Sequence, residues 1–349
     1  MSLQASLSRR DLLGLAFVSA AGGLLAACGG SPPPAAGSAK ASPAASVAST
    51  APGTQPALKV VYPAVTGAQA PLWLGQELHF FEQQGVKVSA QFMESNISTK
   101  ALIAKEVDVL LQAAASMITA DLNGGADLVY VASAYNHAQF SLIAPAGIKS
   151  TSDLKGKVWG TDKPGTTIDY FTQLLLRLIG LKPSDVELRE LGAADVLVAD
   201  LLSGQIQGAP VSPPAAFNLE AQGFHSLRDT YDQPYQNVGL VISKARLPEL
   251  TPALLRFLPA YRQGMQAYTQ QPDVAKRVLQ QYGKITDAAT LQRSYDFYVK
   301  ETSFQLDLQP TLPGIQYMLD FLSSTIPAAK TAKPEQFIDT RLLGQLPKD

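Results

Sequence analysis

Three histidines and one cysteine are the residues of this 349-residue chain best suited to metal binding or nucleophilic chemistry. His79, His137 and His225 stand far apart and lack the paired spacing of a metal site. Cys28 is the single thiol, so stability must come from packing and not from disulfides within the chain. No Ser-His-Asp arrangement, phosphate-binding loop or glycine fingerprint opens at a strand–helix junction. These residues predict a protein that is not an enzyme and uses neither metal nor cofactor. Lysine and arginine number 28 against 29 acidic residues, which leaves no basic footprint for nucleic acid.

The chemistry left is recognition, and it needs a scaffold. Apolar residues make up 46% of the chain, and residues 57–349 are long enough for two domains of ordinary size. A β-rich run at 58–62 leads through a Gly-containing loop into a helix carrying Leu72, Trp73, Leu74, Leu78 and Phe81, with Gly85 as its C-cap. Alternation of Val86, Val88, Ala90 and Phe92 predicts a strand. A helix at 98–104, a strand at 107–111, a helix at 116–123 and a strand at 128–132 complete a first unit. A second unit repeats the order, with strand 157–160, a helix running through 179, strand 186–191, helix 195–202 and strand 206–211. An offset of 99 residues lays one on the other: Lys105-Glu106-Val107 faces Gly204-Gln205-Ile206, Ser116 faces Ala215, and Gly124 faces Gly223. Strand–helix alternation implies α/β lobes with largely parallel sheets, and the repeat implies a bilobed receptor with a cleft. Helical spacing recurs at 252–269, 274–282, 288–300 and 312–325, so the C-terminal third is helical.

Ligands of such sheets bind where strand carboxyl ends meet helix N-termini. The candidate loops are 66–73, 94–98, 112–116, 135–136, 163–167 and 211–214. They supply the expected ligand-binding set: Thr66, Gln69, Trp73, Asn96, Gln112, Ala113, Ser116, Tyr135, Asn136, Lys163, Gly165, Thr166, Thr167, Ser212 and Pro213. Structural roles compete for several of them. Trp73 suits a core, Ser116 a helix N-cap, Gly165 a turn, and Thr166 and Thr167 capping. Tyr231 and Tyr235 are weaker candidates near the return crossing, and His137 suits a backbone partner. The 163–167 loop suits an oxyanion or a carbonyl, but basic residues are sparse in these loops. An anion and a neutral, pyrimidine-like aromatic both stay open as ligands.

Cys28 ends the run Leu25-Ala26-Ala27-Cys28, behind a short apolar stretch and the pair Arg9-Arg10. A charged start, an apolar core and small residues before a cleavage point make a secretory signal. The run resembles the lipobox of bacterial lipoproteins, which implies lipid attachment at Cys28. Ser8-Arg9-Arg10-Asp11-Leu12-Leu13 resembles a twin-arginine export signal, with an ordinary secretory signal as the alternative. Residues 28–56, rich in Pro, Ala and Ser, have little to bury and read as a disordered tether.

Five strings appear in family order: Ala70-Pro71-Leu72-Trp73-Leu74, Phe81-Glu82-Gln83-Gln84-Gly85-Val86-Lys87-Val88, the run from Ala101 to Val109, the run from Gly147 to Lys157, and Asp200-Leu201-Leu202-Ser203-Gly204-Gln205-Ile206. Together they resemble the substrate-binding proteins of ABC importers for nitrate, taurine, alkanesulfonates and the pyrimidine precursor of thiamine. The resemblance spans about residues 57–280 and implies a type II periplasmic-binding fold. Residues 57–144 plus 238–349 would form lobe one, 145–237 lobe two, and strands near 141–144 and 238–243 the hinge. It implies a small-molecule ligand and ABC permease and ATPase partners; the lipobox implies an exported, lipid-anchored location on the outer face of the cytoplasmic membrane or within the periplasm, and with nothing in the sequence arguing for oligomers a monomer is expected. A pyrimidine-precursor enzyme on the same fold and a membrane-tethered sensory domain are the alternatives. Two positions depart from the family pattern: Lys105 stands where glycine is usual, and Gln207 where aspartate is usual.

Overall fold

The computed structural model describes residues 55–347. Cys28, the export signal and most of the tether lie outside them. Ten strands form the sheets: β1 Ala57–Tyr62, β2 Lys87–Phe92, β3 Val109–Gln112, β4 Leu128–Ser133, β5 Ser141–Ala144, β6 Val158–Thr161, β7 Glu187–Glu190, β8 Ala209–Val211, β9 His225–Asp229 and β10 Gly239–Ser243. The first sheet runs β2-β1-β3-β10-β4, with β1 parallel to β2 and β3, and β10 antiparallel to β3 and β4. In the second, β5 lies antiparallel between β8 and β9, and β6 pairs with β7 in parallel. Gly160 N–H donates to Gly208 O (2.9 Å) and Gln207 N–H to Val158 O (2.8 Å), which joins β6 to β8. The order is then β7-β6-β8-β5-β9, the same pattern as the first sheet.

The repeat extends to single hydrogen bonds. Lys59 N–H donates to the Asp108 carboxylate (2.7 Å), and 99 positions later Val158 N–H donates to Gln207 Oε1 (3.3 Å). Each side chain holds the edge of its central strand against the turn before the next one. Gln207 therefore does the work of the usual aspartate with a neutral amide, and its Nε2 also donates to Gly204 O (3.0 Å). Lys105 adopts the left-handed conformation (φ 62°), as does its counterpart Gly204 (φ 76°), so the lysine departs from the pattern in side chain and not in backbone.

Strand side chains alternate between two helical layers. Leu58, Val60, Val109, Leu111, Val129, Val131, Leu240 and Ile242 pack with residues of helices Ala70–Glu77 and Leu247–Gln270. Val61, Leu110, Leu128, Tyr130 and Val241 point the other way, into helices Ala114–Gly124 and Leu312–Leu322. The C-terminal helices thus cover the first sheet. The second sheet has its own core on each face, Ile143, Ala209 and Val211 on one side and Leu142, Ala144 and Trp159 on the other.

Two expected helices are corrected. The one carrying Leu72 to Phe81 breaks after Glu77, because His79 turns left-handed (φ 56°) before a short helix Phe80–Gln83. The one at 288–300 is α-helical only to Asp296 and widens to a π turn at Phe297–Glu301. Each break comes from packing: Phe81 stacks on Phe257, and Phe297 meets Tyr231 and Phe217 edge-on.

Helices Ala70–Glu77 and Leu247–Gln270 approach so closely at Gly264 that a Cβ there would lie 2.2 Å from Pro71 O. Backbone cannot give way as a side-chain tip can. Gly264→Ala is expected to lower unfolding stability by about 2–3 kcal/mol, measured from the urea midpoint at constant slope.

Candidate functional site

The chain passes between the sheets twice, at 134–140 and 230–238, and the two passages are bonded to each other. Phe140 N–H donates to Thr230 Oγ1 (3.2 Å), Thr230 N–H to Phe140 O (3.0 Å), and Asn237 Nδ2 to His137 O (2.7 Å). Beside them the carboxyl edges of the sheets meet. Helix Ala114–Gly124, entered from β3, brings Ser116 to Thr167 in the first turn of helix Thr167–Leu178, entered from β6. Ser116 Oγ lies 3.1 Å from Thr167 Oγ1 and accepts from Thr167 N–H (3.1 Å). Ser95 Oγ is 3.1 Å from Ser116 Oγ and accepts from Gln112 Nε2 (3.2 Å), which also donates to Thr99 Oγ1 (3.1 Å). Tyr235 Oη accepts from Ala115 N–H (3.4 Å). A continuous polar seam therefore runs from one sheet's edge to the other's.

The rest of the seam is tight. Gly165 (φ 84°) sits against Thr119, where a Cβ would be 2.6 Å from Thr119 Cγ2. Tyr298 from the C-terminal region donates to Gln139 Oε1 (2.8 Å) and to Pro213 O (3.4 Å), and its ring fills the space beside Gly67. Arg293 pairs with Glu220 and lies 3.9 Å above the Phe217 ring, a further tie from C-terminal helix to second-sheet helix Ala215–Ala221.

The sequence profile described as "NMT1/THI5 like" matches residues 67–275, more than half of the chain. The chain belongs to the NMT1/THI5-like family. No curated protein matches it significantly. Among solved structures it is similar to the periplasmic aliphatic sulphonate-binding protein SsuA of Escherichia coli, at 18% identity and a TM-score of 0.66 over 82% of this chain and 92% of that one. The periplasmic nitrate-binding protein NrtA of Synechocystis is 13% identical, with a TM-score of 0.65 over 83% and 87% of the two chains. A Candida albicans protein, described as exhibiting the generic periplasmic binding protein fold, is 15% identical with a TM-score of 0.65 over 82% and 96%. This NMT1/THI5-like chain has that bilobed periplasmic-binding fold, as its two like-ordered sheets require.

The structure places the expected residues unevenly. Gln112, Ser116 and Thr167 meet in the seam, and Ala113 is the N-cap of the helix that carries Ser116. Ser116 is thus a bridging residue and not a cap. Thr166 is the cap of its helix, accepting from Asp169 N–H (3.3 Å), and Gly165 makes the turn before it. Ser212 and Pro213 border the loop that Tyr298 reaches. Thr66 and Gln69 are buried in the turn after β1, and Gln69 Oε1 has no hydrogen-bond partner among the described residues. Asn96 falls in helix Ser95–Ile103. Lys163 is exposed.

Three residues are taken up in other contacts. Trp73 stacks on Tyr282 (4.6 Å between ring centres, 5° tilt) within the core, the role that competed with ligand contact. Tyr135 packs among Tyr298, Phe304 and His137. Asn136 accepts from Ser133 Oγ (2.6 Å) and donates to Gln309 O (2.8 Å), so it fastens the C-terminal region. Sequence reasoning placed Ser95 in the candidate loop 94–98 without singling it out, and missed Thr99, Gln139 and Tyr298. Ser95 and Thr99 are four apart on one helix, a detectable spacing. Gln139 and Tyr298 are 159 residues apart and left no local signal.

Burial shapes the charges here. Asp162 and Asp169, in the loop after β6 and the next helix turn, both have carboxyls raised above their ordinary range, mainly by desolvation. His137 in the first crossing is lowered by burial. No group of three or more metal-ligating side chains forms among the described residues, and no helix among them is long and apolar enough to cross a membrane.

A carboxyl raised by folding takes up its proton in the native state first, so stability rises as pH falls toward that raised value. Asp169→Asn removes the charge and keeps an acceptor for Gly165 N–H. It is expected to raise Tm at pH 7, with the gap to the parent protein narrowing on acidification; calorimetry between pH 7 and 4 measures both.

Proposed function

We propose that this protein is an extracytoplasmic solute-binding component of an ABC importer. It would hold a small solute between two lobes, 57–144 with 238–349 and 145–237, and release it unaltered. The observation that carries this is the seam: paired crossings with Ser116 and Thr167 beside them, at the carboxyl edges where such sheets bind ligands. The sulfonate- and nitrate-binding proteins that share the fold give the reading its class. A solute touching both edges stabilises the closed state by its differential contacts, and the permease would recognise that state. Micromolar binding needs about 8 kcal/mol, within reach of several hydrogen bonds in a water-excluding cleft.

Lipidation of Cys28 and the tether expected over 28–56 would hold the receptor outside the cytoplasm, on the outer face of the cytoplasmic membrane or within the periplasm. A single cysteine, consumed by lipid, leaves no ligand for the cysteine-rich iron motif of enzymes on this fold.

Native mass spectrometry of freshly purified protein is expected to show a stoichiometric small molecule that leaves on mild denaturation. X-ray scattering should then show compaction when that molecule is returned. Turnover of the returned compound, or a radius unchanged by it, would overturn the proposal. Labelled palmitate should enter the full chain and not a Cys28→Ala variant.

A further inference from the structure

Two packed flanks join the halves beside the crossings, and they differ in kind. On one, helix Thr167–Leu178 of the second half gives Tyr170, Phe171 and Leu174 to the core under helix Leu312–Leu322, each 3% exposed or less. Tyr170 meets Phe321 edge-on (4.7 Å between ring centres) and stacks on Tyr235 (5.4 Å). Arg177 closes the far end, 4.7 Å above the Phe321 ring. From Thr167 at the seam to Arg177, the contacts follow one stripe of the helix.

The other flank lies on the opposite face of the first sheet. Helix Ala215–Ala221 of the second half keeps Ala216 and Leu219 in its own sheet's core and sends Phe217 into the first-sheet core. Arg293 of helix Ala288–Asp296 lies 3.9 Å above that ring, and Glu220 pairs with its guanidinium. Phe297 meets Phe217 edge-on, Pro214 abuts Gly283, and Tyr298 reaches Pro213 O at 3.4 Å. Between the two helices a surface groove of about 270 Å³ remains, lined by Phe217, Glu220 and Ala221 on one side and Asp287, Thr290 and Arg293 on the other. This flank lacks the close packing that makes an interior costly to part. The Arg293 side chain is 51% exposed, so salt can screen its pair with Glu220. For the halves to separate, one flank must open, and the grooved one has less to lose.

We propose that the halves part along this groove, that Arg293 latches them through Glu220 and Phe217, and that helix Thr167–Leu178 stays docked as the pivot. The device rests on the two-lobe reading above and goes beyond it by naming which side opens and what holds it. Because the latch favours the joined arrangement, a solute bound between the halves has less free energy to supply.

Hydrogen exchange read by mass spectrometry on the full chain, with no solute added, tests both parts. Arg293→Glu sets two like charges against each other and is expected to speed exchange across 215–221 by about tenfold, with 167–178 staying within about twofold of the parent. Combining Arg293→Glu with Glu220→Arg restores opposite charges and should return 215–221 to within about threefold of the parental rate. On the unmodified protein, sodium chloride at about 1 M should speed 215–221 by about two- to fivefold and leave 167–178 unchanged, a result that depends on no variant folding. A merely structural role for Arg293 would loosen both helices alike, with no recovery in the double variant. Equal acceleration of the two helices, no response of 215–221 to charge reversal or to salt, or failure of the double variant to recover overturns the proposal. Each of those results leaves the solute-binding reading standing, since that reading is judged by a co-purified solute and not by which flank opens.

Discussion

The structure depends on one constraint: the two chain passages between the sheets must stay bonded to each other. Phe140 and Thr230 exchange hydrogen bonds through backbone and hydroxyl, and Asn237 clasps the carbonyl of His137. Directly beyond these bonds each passage becomes a strand, β5 in the second sheet and β10 in the first, and each enters antiparallel between two partners. A passage cannot slip without moving a central strand of a sheet.

The carboxyl edges are polar where they meet and apolar where they do not. Behind the seam, β3 and β4 are buried along their whole lengths, because helices cover both faces of the sheet. At the seam, hydroxyls and amides bond across the boundary in small groups that water or a solute could replace. Such contacts are worth about 1 kcal/mol each in net terms. Few of them join the halves, so their summed free energy is small. The C-terminal region adds two further ties, since Tyr298 reaches the second sheet's loop at Pro213 and Arg293 reaches its helix Ala215–Ala221.

Much of this was legible in the sequence. Strand–helix alternation and the 99-residue offset predicted two like units, and the paired bonds of Asp108 and Gln207 show why the offset survives. Expected and observed strands differ mostly by one or two residues at their ends. The family resemblance and the matched profile agree over most of the same residues. What stayed hidden was long-range. Trp73 has the same local sequence whether it faces a ligand or Tyr282, and only the distant helix Pro272–Gly283 decides it. Asp162 and Asp169 read as ordinary loop and helix-start acids, and their loss of solvent shows only in the folded chain. The break at His79 was equally invisible, set by where Phe81 must dock and not by any helix breaker.

The chain has two tryptophans, and the fold assigns one to each half: Trp73 inside the first core and Trp159 inside the second, each 1% exposed or less. Intrinsic fluorescence will therefore shift when either core is breached, and one emission band serves as a thermometer for the two cores together.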